Sequence, residues 1–185
     1  MTDVISQILN RSSEPRLESP APDASVLDTV FKCAARAPDH ALLRPWRYLV
    51  IEGDGLDALG EVFARTADAA NPTALPVEKL QGMTRRAPMI IVGIASHHGH
   101  PKVPPIEETL SAGCGMAYIL LALEAQGFAG MWRTGSIAYN PVIAEGLGLA
   151  SNESIVGFLY VGTPVSEKPA IDRPDPDAFV SRWPG

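Results

Sequence analysis

Residues 89–95 read Met89-Ile90-Ile91-Val92-Gly93-Ile94-Ala95, and after one loop the chain continues Ser111-Ala112-Gly113-Cys114-Gly115-Met116-Ala117. The first stretch follows Pro88 and is the most apolar strand signal in the chain. The run from Ser96 to Pro105 carries histidines and prolines and reads as a loop. Beyond it the apolar spacing predicts a helix from about Ile106 to Gln126, with Gly127 as its C-terminal stop. Gly113 and Gly115 lie inside that helix, where each costs about 1 kcal/mol relative to alanine. Close approach of another backbone would offset the cost. The sequence allows either tight packing within the chain or contact with a twofold partner.

Moving outward from this centre, Tyr48-Leu49-Val50-Ile51 reads as a strand cut by Gly53 and Gly55, and Ile155 to Val161 as the last clear strand. Leu56, Leu59, Phe63 and Ala67 mark a helix stopped by Asn71-Pro72, and a shorter one is expected from Val77 to Arg86. Val26, Leu27, Val30, Phe31 and Ala34 form one face of another, capped by Asp23 or Ser25 and ended by Pro38. Val4, Ile5, Ile8 and Leu9 give a short N-terminal helix with Thr2 as its cap, and Asn140-Pro141 opens a last one. The proline-rich tail from Pro164 is expected to wrap over the surface. No repeat or linker divides the chain, so residues 1–185 read as one domain of mixed helix and strand, with helices wrapped around a sheet.

A chain of 185 residues buries enough surface to need neither metal nor disulfide. Two cysteines, Cys33 and Cys114, in no C-x-x-C pair read as small buried hydrophobes. The 15 basic residues against 21 acidic ones leave a net charge of −6, the opposite of a nucleic-acid binder's balance. No apolar run reaches the ~20 residues of a membrane span. The opening residues are unlike a secretion signal, and the expected location is the cytoplasm.

Several patterns invite a specific chemistry. Gly53-Asp54-Gly55-Leu56-Asp57-Ala58 fits the dinucleotide-binding turn, but its acidic residues crowd the place of a pyrophosphate. A plain strand-to-helix turn is the better reading. His97-His98-Gly99-His100 lacks further ligands at metal-site spacing and reads as a solvated loop. Glu107-Glu108 suits the dipole at the start of the long helix. Three other clusters join arginine to small, hydroxyl or aromatic residues. They are Arg11-Ser12-Ser13, the stretch from Arg36 through His40 to Trp46, and Gly130-Met131-Trp132-Arg133-Thr134-Gly135. That mix suits a phosphate together with a flat, polar-edged ring.

The ordered set Arg11-x-Ser13, Arg36-Ala37-Pro38-Asp39-His40, Pro45-Trp46, Ser111-Ala112-Gly113-Cys114, Gly127-Phe128, Trp132-Arg133-Thr134-Gly135 and Gly157 to Pro164 resembles the nitroreductase family, closest to its short bacterial members. The resemblance implies an α+β fold, with helices around a central, mostly antiparallel sheet, and a homodimer that swaps terminal segments. It implies FMN as cofactor and NAD(P)H as co-substrate. Hydride would pass through the flavin to a small acceptor, such as a nitroaromatic or quinone, in a ping-pong reaction. Arg11, Ser12 and Ser13 would hold the FMN phosphate and ribityl chain. Arg36 and His40 would contact the flavin held mainly by the other subunit, and Trp132, Arg133 and Thr134 would line the isoalloxazine edge. No side chain is assigned as acid or base. A dehydrogenase or dehalogenase of the same superfamily, or a flavin-free binding protein on this fold, are the alternatives.

The chain departs from the family pattern at named places. Ser12 replaces a basic residue, and Pro15 stands where another is often found. Leu42-Leu43-Arg44-Pro45-Trp46 replaces Asn-x-Gln-Pro-Trp. Lys168 and Arg173 are the candidates for the C-terminal basic residues that grip phosphate in longer members.

Overall fold

The computed structural model describes residues 3–68, 70, 75–166 and 172–184. In chain order its elements are α1 (Val4–Asn10), β1 (Leu17–Glu18), α2 (Ala24–Ala34), β2 (Trp46–Glu52), α3 (Asp54–Ala64), α4 (Val77–Gly82), β3 (Met89–Ser96), α5 (Pro105–Glu124), β4 (Ala129–Arg133), α6 (Pro141–Gly146) and β5 (Glu153–Pro164). Short 3-10 turns lie at His40–Leu42, Thr84–Arg86, Ser136–Tyr139 and Pro176–Ala178.

The sheet is antiparallel throughout. β5 is its spine. One edge of β5 pairs with β3, which in turn pairs with β2; the other edge pairs with β4 and then with β1. The fold is thus α+β, with helices around an antiparallel sheet. Met89 to Ala95 are all buried because β3 is covered on both faces. Alternation along the strand sends Ile90, Val92 and Ile94 into one cluster with Leu56, Leu59, Phe63, Ile143 and Phe158. Met89 and Ile91 join the other, with Val30, Met116, Ile119, Leu123 and Leu159. α3, α4 and α6 cover the first face, α2 and α5 the second. Each fully buried isoleucine or leucine in these layers contributes ~1.5–3 kcal/mol.

Two glycines shape the second face. Gly93 and Gly157 lie opposite one another, next to a register shift between β3 and β5. A Cβ on Gly93 would fall 2.2 Å from the Met116 sulfur, and one on Gly157 would fall 2.2 Å from Trp132 Nε1. Their bare backbone leaves a trough in which Met116 and Trp132 lie.

Some expectations change. The cap of α1 is Asp3, whose carboxylate accepts from Ser6 N–H, rather than Thr2, which lies outside the described residues. At α2 the choice falls on Asp23, which accepts from the N–H groups of Ser25 and Val26, while Asp28 pairs with Lys32. Cys33 and Cys114 are free and exposed, not buried, because both stand on the outward sides of their helices. Gly127 follows α5 with φ 84° as the expected stop. The 20 residues of α5 are, by length and composition, apolar enough to cross a membrane. Ala112, Met116, Ile119 and Leu123 nevertheless lie buried against the sheet, the place of a core helix.

Two strands escaped the sequence. β1 has only two residues, and the short apolar run of β4, bracketed by glycine and arginine, carries no strand signal of its own. Pairing with β5 overrides local preference there. Gly53-Asp54-Gly55 is the plain turn expected, since the strand before it pairs antiparallel with its neighbour.

Candidate cofactor site

Arg11 closes α1, and its carbonyl accepts a hydrogen bond from Arg173. Arg173 therefore reaches this corner, as a phosphate-gripping tail would; Lys168 falls outside the described residues. Glu14 N–H donates to Gly130 O at 3.0 Å, which clips the Arg11-Ser12-Ser13 loop to the free edge of β4. Gly130 thus turns its carbonyl away from β5, and strand geometry turns the peptide groups of Trp132 the same way. A cavity of about 250 Å³ opens here, lined among others by Asn10, Ser12, Glu124, Gly127 and Pro164. This corner lies at the C-terminal end of α5.

Trp132 and Arg133 part company along β4. The Trp132 ring lies over Gly157 and reaches toward Gly113, whose missing Cβ would sit 3.7 Å from Trp132 Cη2. The Arg133 guanidinium stands 5.5 Å from the centroid of the Tyr160 ring, and Tyr160 belongs to the opposite core layer. Arg133 Nε is buried without a hydrogen-bond partner. Thr134, just past the strand, is exposed. A helical contact also accounts for one of the puzzling glycines. A Cβ on Gly115 would meet Tyr48 Oη at 2.2 Å, so this glycine serves packing inside the chain. Tyr48 Oη has no partner, and burial pushes its pKa up to about 12. Gly113 meets no such crowding.

His40 lies at the other end of α5, beside Glu107, and Arg36 lies between Ala34 and Pro38, whose carbonyls face Gly115 and Ser111 of that helix. Pro38 O accepts from Ser111 Oγ at 2.7 Å, and the Asp39 carboxylate accepts from Leu43 N–H and Arg44 N–H. Ala41, Leu42 and Arg44 have φ of 61°, 55° and 50°. Such left-handed residues cost about 1–3 kcal/mol each and persist where surrounding contacts enforce them. His40 Nδ1 lies 2.7 Å from Glu107 Oε2. In the sequence Glu107 shows only as a partner of the helix dipole; folding puts His40, 67 positions earlier, beside it. His98 donates from its backbone and from Nδ1 to Glu108 Oε1 at 2.9 and 3.0 Å. Among the described residues no group of three or more histidine, cysteine or acidic side chains gathers around a common point.

Six of the eight predicted site residues can be ordered along α5. Arg11, Ser12 and Ser13 sit by the end of α5, with Trp132 alongside its middle. His40 sits by its start, and Arg36 between its start and its middle. Twenty helical residues rise ~30 Å, which separates His40 at the start of α5 from the Arg11 loop at its end.

This antiparallel sheet with its long covering helix and arginine-bearing corner defines a family. Residues 8–163 match the model of the nitroreductase family, and the chain belongs to it, among oxidoreductases. It is 38% identical over 180 residues to the Escherichia coli (strain K12) protein named "Putative NAD(P)H nitroreductase YdjA", covering 97% of this chain and 98% of that one. The crystal structure of a nitroreductase-like family protein from Bacillus cereus superposes with a TM-score of 0.87 at 21% identity, over 100% and 98% of the two chains. A variant of the FMN and NADPH-dependent nitroreductase NfnB from Sphigopyxis sp. strain HMH gives 0.76 at 18%, over the whole of both chains.

Proposed function

We propose that this chain is one single-domain subunit of a cytoplasmic homodimeric FMN enzyme that takes hydride from NAD(P)H and reduces a small acceptor, such as a nitroaromatic or quinone, in a ping-pong reaction. The observation that carries this reading is the separation of His40, at the start of α5, from the Arg11-Ser12-Ser13 loop at its end. Two copies packed antiparallel along α5 would bring Arg36 and His40 of one chain to the Arg11 corner of the other. Gly113, uncrowded within the chain, suits that contact.

The residues present fit the cofactor. Arg11, with the Ser12 and Ser13 hydroxyls, offers charge-assisted and neutral hydrogen bonds to a phosphate. The outward peptide groups of Trp132 offer one donor and one acceptor to the polar edge of a flat ring. The Arg133 side chain lies on the far side of the sheet from Trp132, and its peptide groups face β5, so on this strand the flavin edge is left to Trp132. Thr134 adds a hydroxyl at the end of the strand. When bound, FMN supplies the hydride chemistry, and the protein's part is to bind, orient and polarise.

An absorption spectrum of the purified protein, taken after adding FMN and removing the excess, tests the reading. Stoichiometric flavin supports it; a colourless protein removes the chemistry and leaves the fold. Arg11→Ala should weaken FMN binding by roughly 1.5–3 kcal/mol, the worth of a charge-assisted hydrogen bond, in a fluorescence titration. Unchanged affinity would withdraw Arg11 from the phosphate.

A further inference from the structure

Glu107 stands in the first turn of α5, where an acidic side chain ordinarily serves the helix itself. Here the helix makes a smaller demand on it. Its N-cap is Pro104, and the Glu107 N–H is bonded to Pro104 O at 2.9 Å. The carboxylate is directed across to His40 instead. Four residues further on, Ser111 holds Pro38 O. Residues four apart share one face of a helix, so α5 grips this loop twice, once by its backbone and once by the imidazole.

The charged groups around His40 divide cleanly. Glu108, next in sequence, is engaged with His98 of a different loop. Asp39 is occupied by two backbone N–H groups of its own turn. Arg36 and Arg44, on the same loop, are cations and accept nothing. Glu107 is thus the carboxylate bonded to the His40 ring.

We infer that Glu107 is a positioning residue for the flavin contact made by His40: by accepting the Nδ1–H it fixes the ring's orientation and tautomer and leaves Nε2 as the nitrogen offered to FMN. This rests on the proposed reading of His40 as a flavin contact. An ionised carboxylate only accepts, so Nδ1 must carry the proton, and the role of the second ring nitrogen follows from that bond. In metal sites the loss of such a supporting partner typically costs ten- to a hundredfold in affinity. The strained backbone from Ala41 to Arg44 fits the same purpose, since a rigid loop and a tethered ring together hold one orientation.

The test uses full-length protein labelled with 15N at histidine, and FMN titrations followed by flavin fluorescence. Long-range 1H–15N spectra should place the His40 proton on Nδ1, and Glu107→Ala should shift it toward Nε2 and raise the Kd for FMN roughly tenfold. Glu107→Gln keeps an acceptor oxygen and should restore most of both signals. A purely structural role for Glu107 would change thermal stability while leaving tautomer and Kd in place, and that result overturns the inference. His40→Ala separates the two layers. If it weakens FMN binding while Glu107→Ala does not, this inference fails and the flavin role of His40 stands. If His40→Ala leaves the Kd unchanged, the flavin role of His40 fails and takes the inference with it.

Discussion

On one face of the sheet, Leu56, Leu59, Phe63 and Ile143 close over Ile90, Val92, Ile94 and Phe158, and the layer is complete. On the other, α5 covers Ile91 and Leu159 but turns Ile106 and Leu110 outward, 62% and 61% exposed. α1 goes further: Val4, Ile5, Ile8 and Leu9 are each more than half exposed, and none of its residues is buried. The expected helix forms and touches α5, but its apolar stripe stays exposed among the described residues. One face is finished by the chain's own helices. The other leaves Ile106, Leu110 and the α1 stripe exposed, and it is the face that carries Trp132, His40 and the Arg11 corner.

Substitutions on the two faces should therefore separate. Phe158→Ala empties a fully enclosed position beside Phe63 and should cost about 3–5 kcal/mol in denaturant unfolding. Leu110→Glu, on the outward side of α5, should leave the fold of the isolated chain nearly untouched, within about 0.5 kcal/mol. It should instead shift sedimentation toward the monomer. A Leu110→Glu protein that sediments as wild type would break the comparison.

Smaller effects sharpen it. Glu153 sits at the start of β5, and Arg47 donates to both its carboxylate oxygens, at 2.6 and 2.7 Å. That hydrogen bonding, helped by Ala150 N–H and Ser96 Oγ and opposed by burial, holds its pKa down at about 2. A depressed carboxylate stabilises the fold above its unfolded value, and the contribution is lost as pH falls through the folded one. Glu153→Gln should lower stability at neutral pH by about 1–3 kcal/mol. The gap to wild type should close between pH 4.5 and about 2. A gap independent of pH would mean that the ion pair is not its source.

The smallest change goes the other way. Leu42 holds a left-handed backbone at the place where the family pattern has asparagine, a residue that tolerates this conformation far better. Leu42→Asn should raise the melting temperature, by an amount corresponding to about 1 kcal/mol. No gain would mean that the strain at Leu42 is relieved by its neighbours.

The parts of this fold with long, regular patterns were legible before folding. The buried strand at Met89, the long helix ending at Gly127 and the Asn140-Pro141 helix start each combine periodicity with a local stop or cap. β4 was not legible, because five residues with a glycine gain strand character only from β5. Family resemblance supplies the proposed site as a set of residues but not as an arrangement. That Arg133 turns to Tyr160 while Trp132 turns to Gly113 follows from strand alternation, which no local pattern in this segment announces. That Glu107 meets His40 depends on two elements far apart in sequence, and nothing local announces it.

The length of α5 has a genetic consequence. If each site draws its Arg11 from one chain and its His40 from the other, the two lesions can be sorted into different sites. An Arg11→Ala chain paired with a His40→Ala chain would place both defects in one site and leave the other wholly wild type. Mixing two impaired proteins would then restore activity that neither possesses alone.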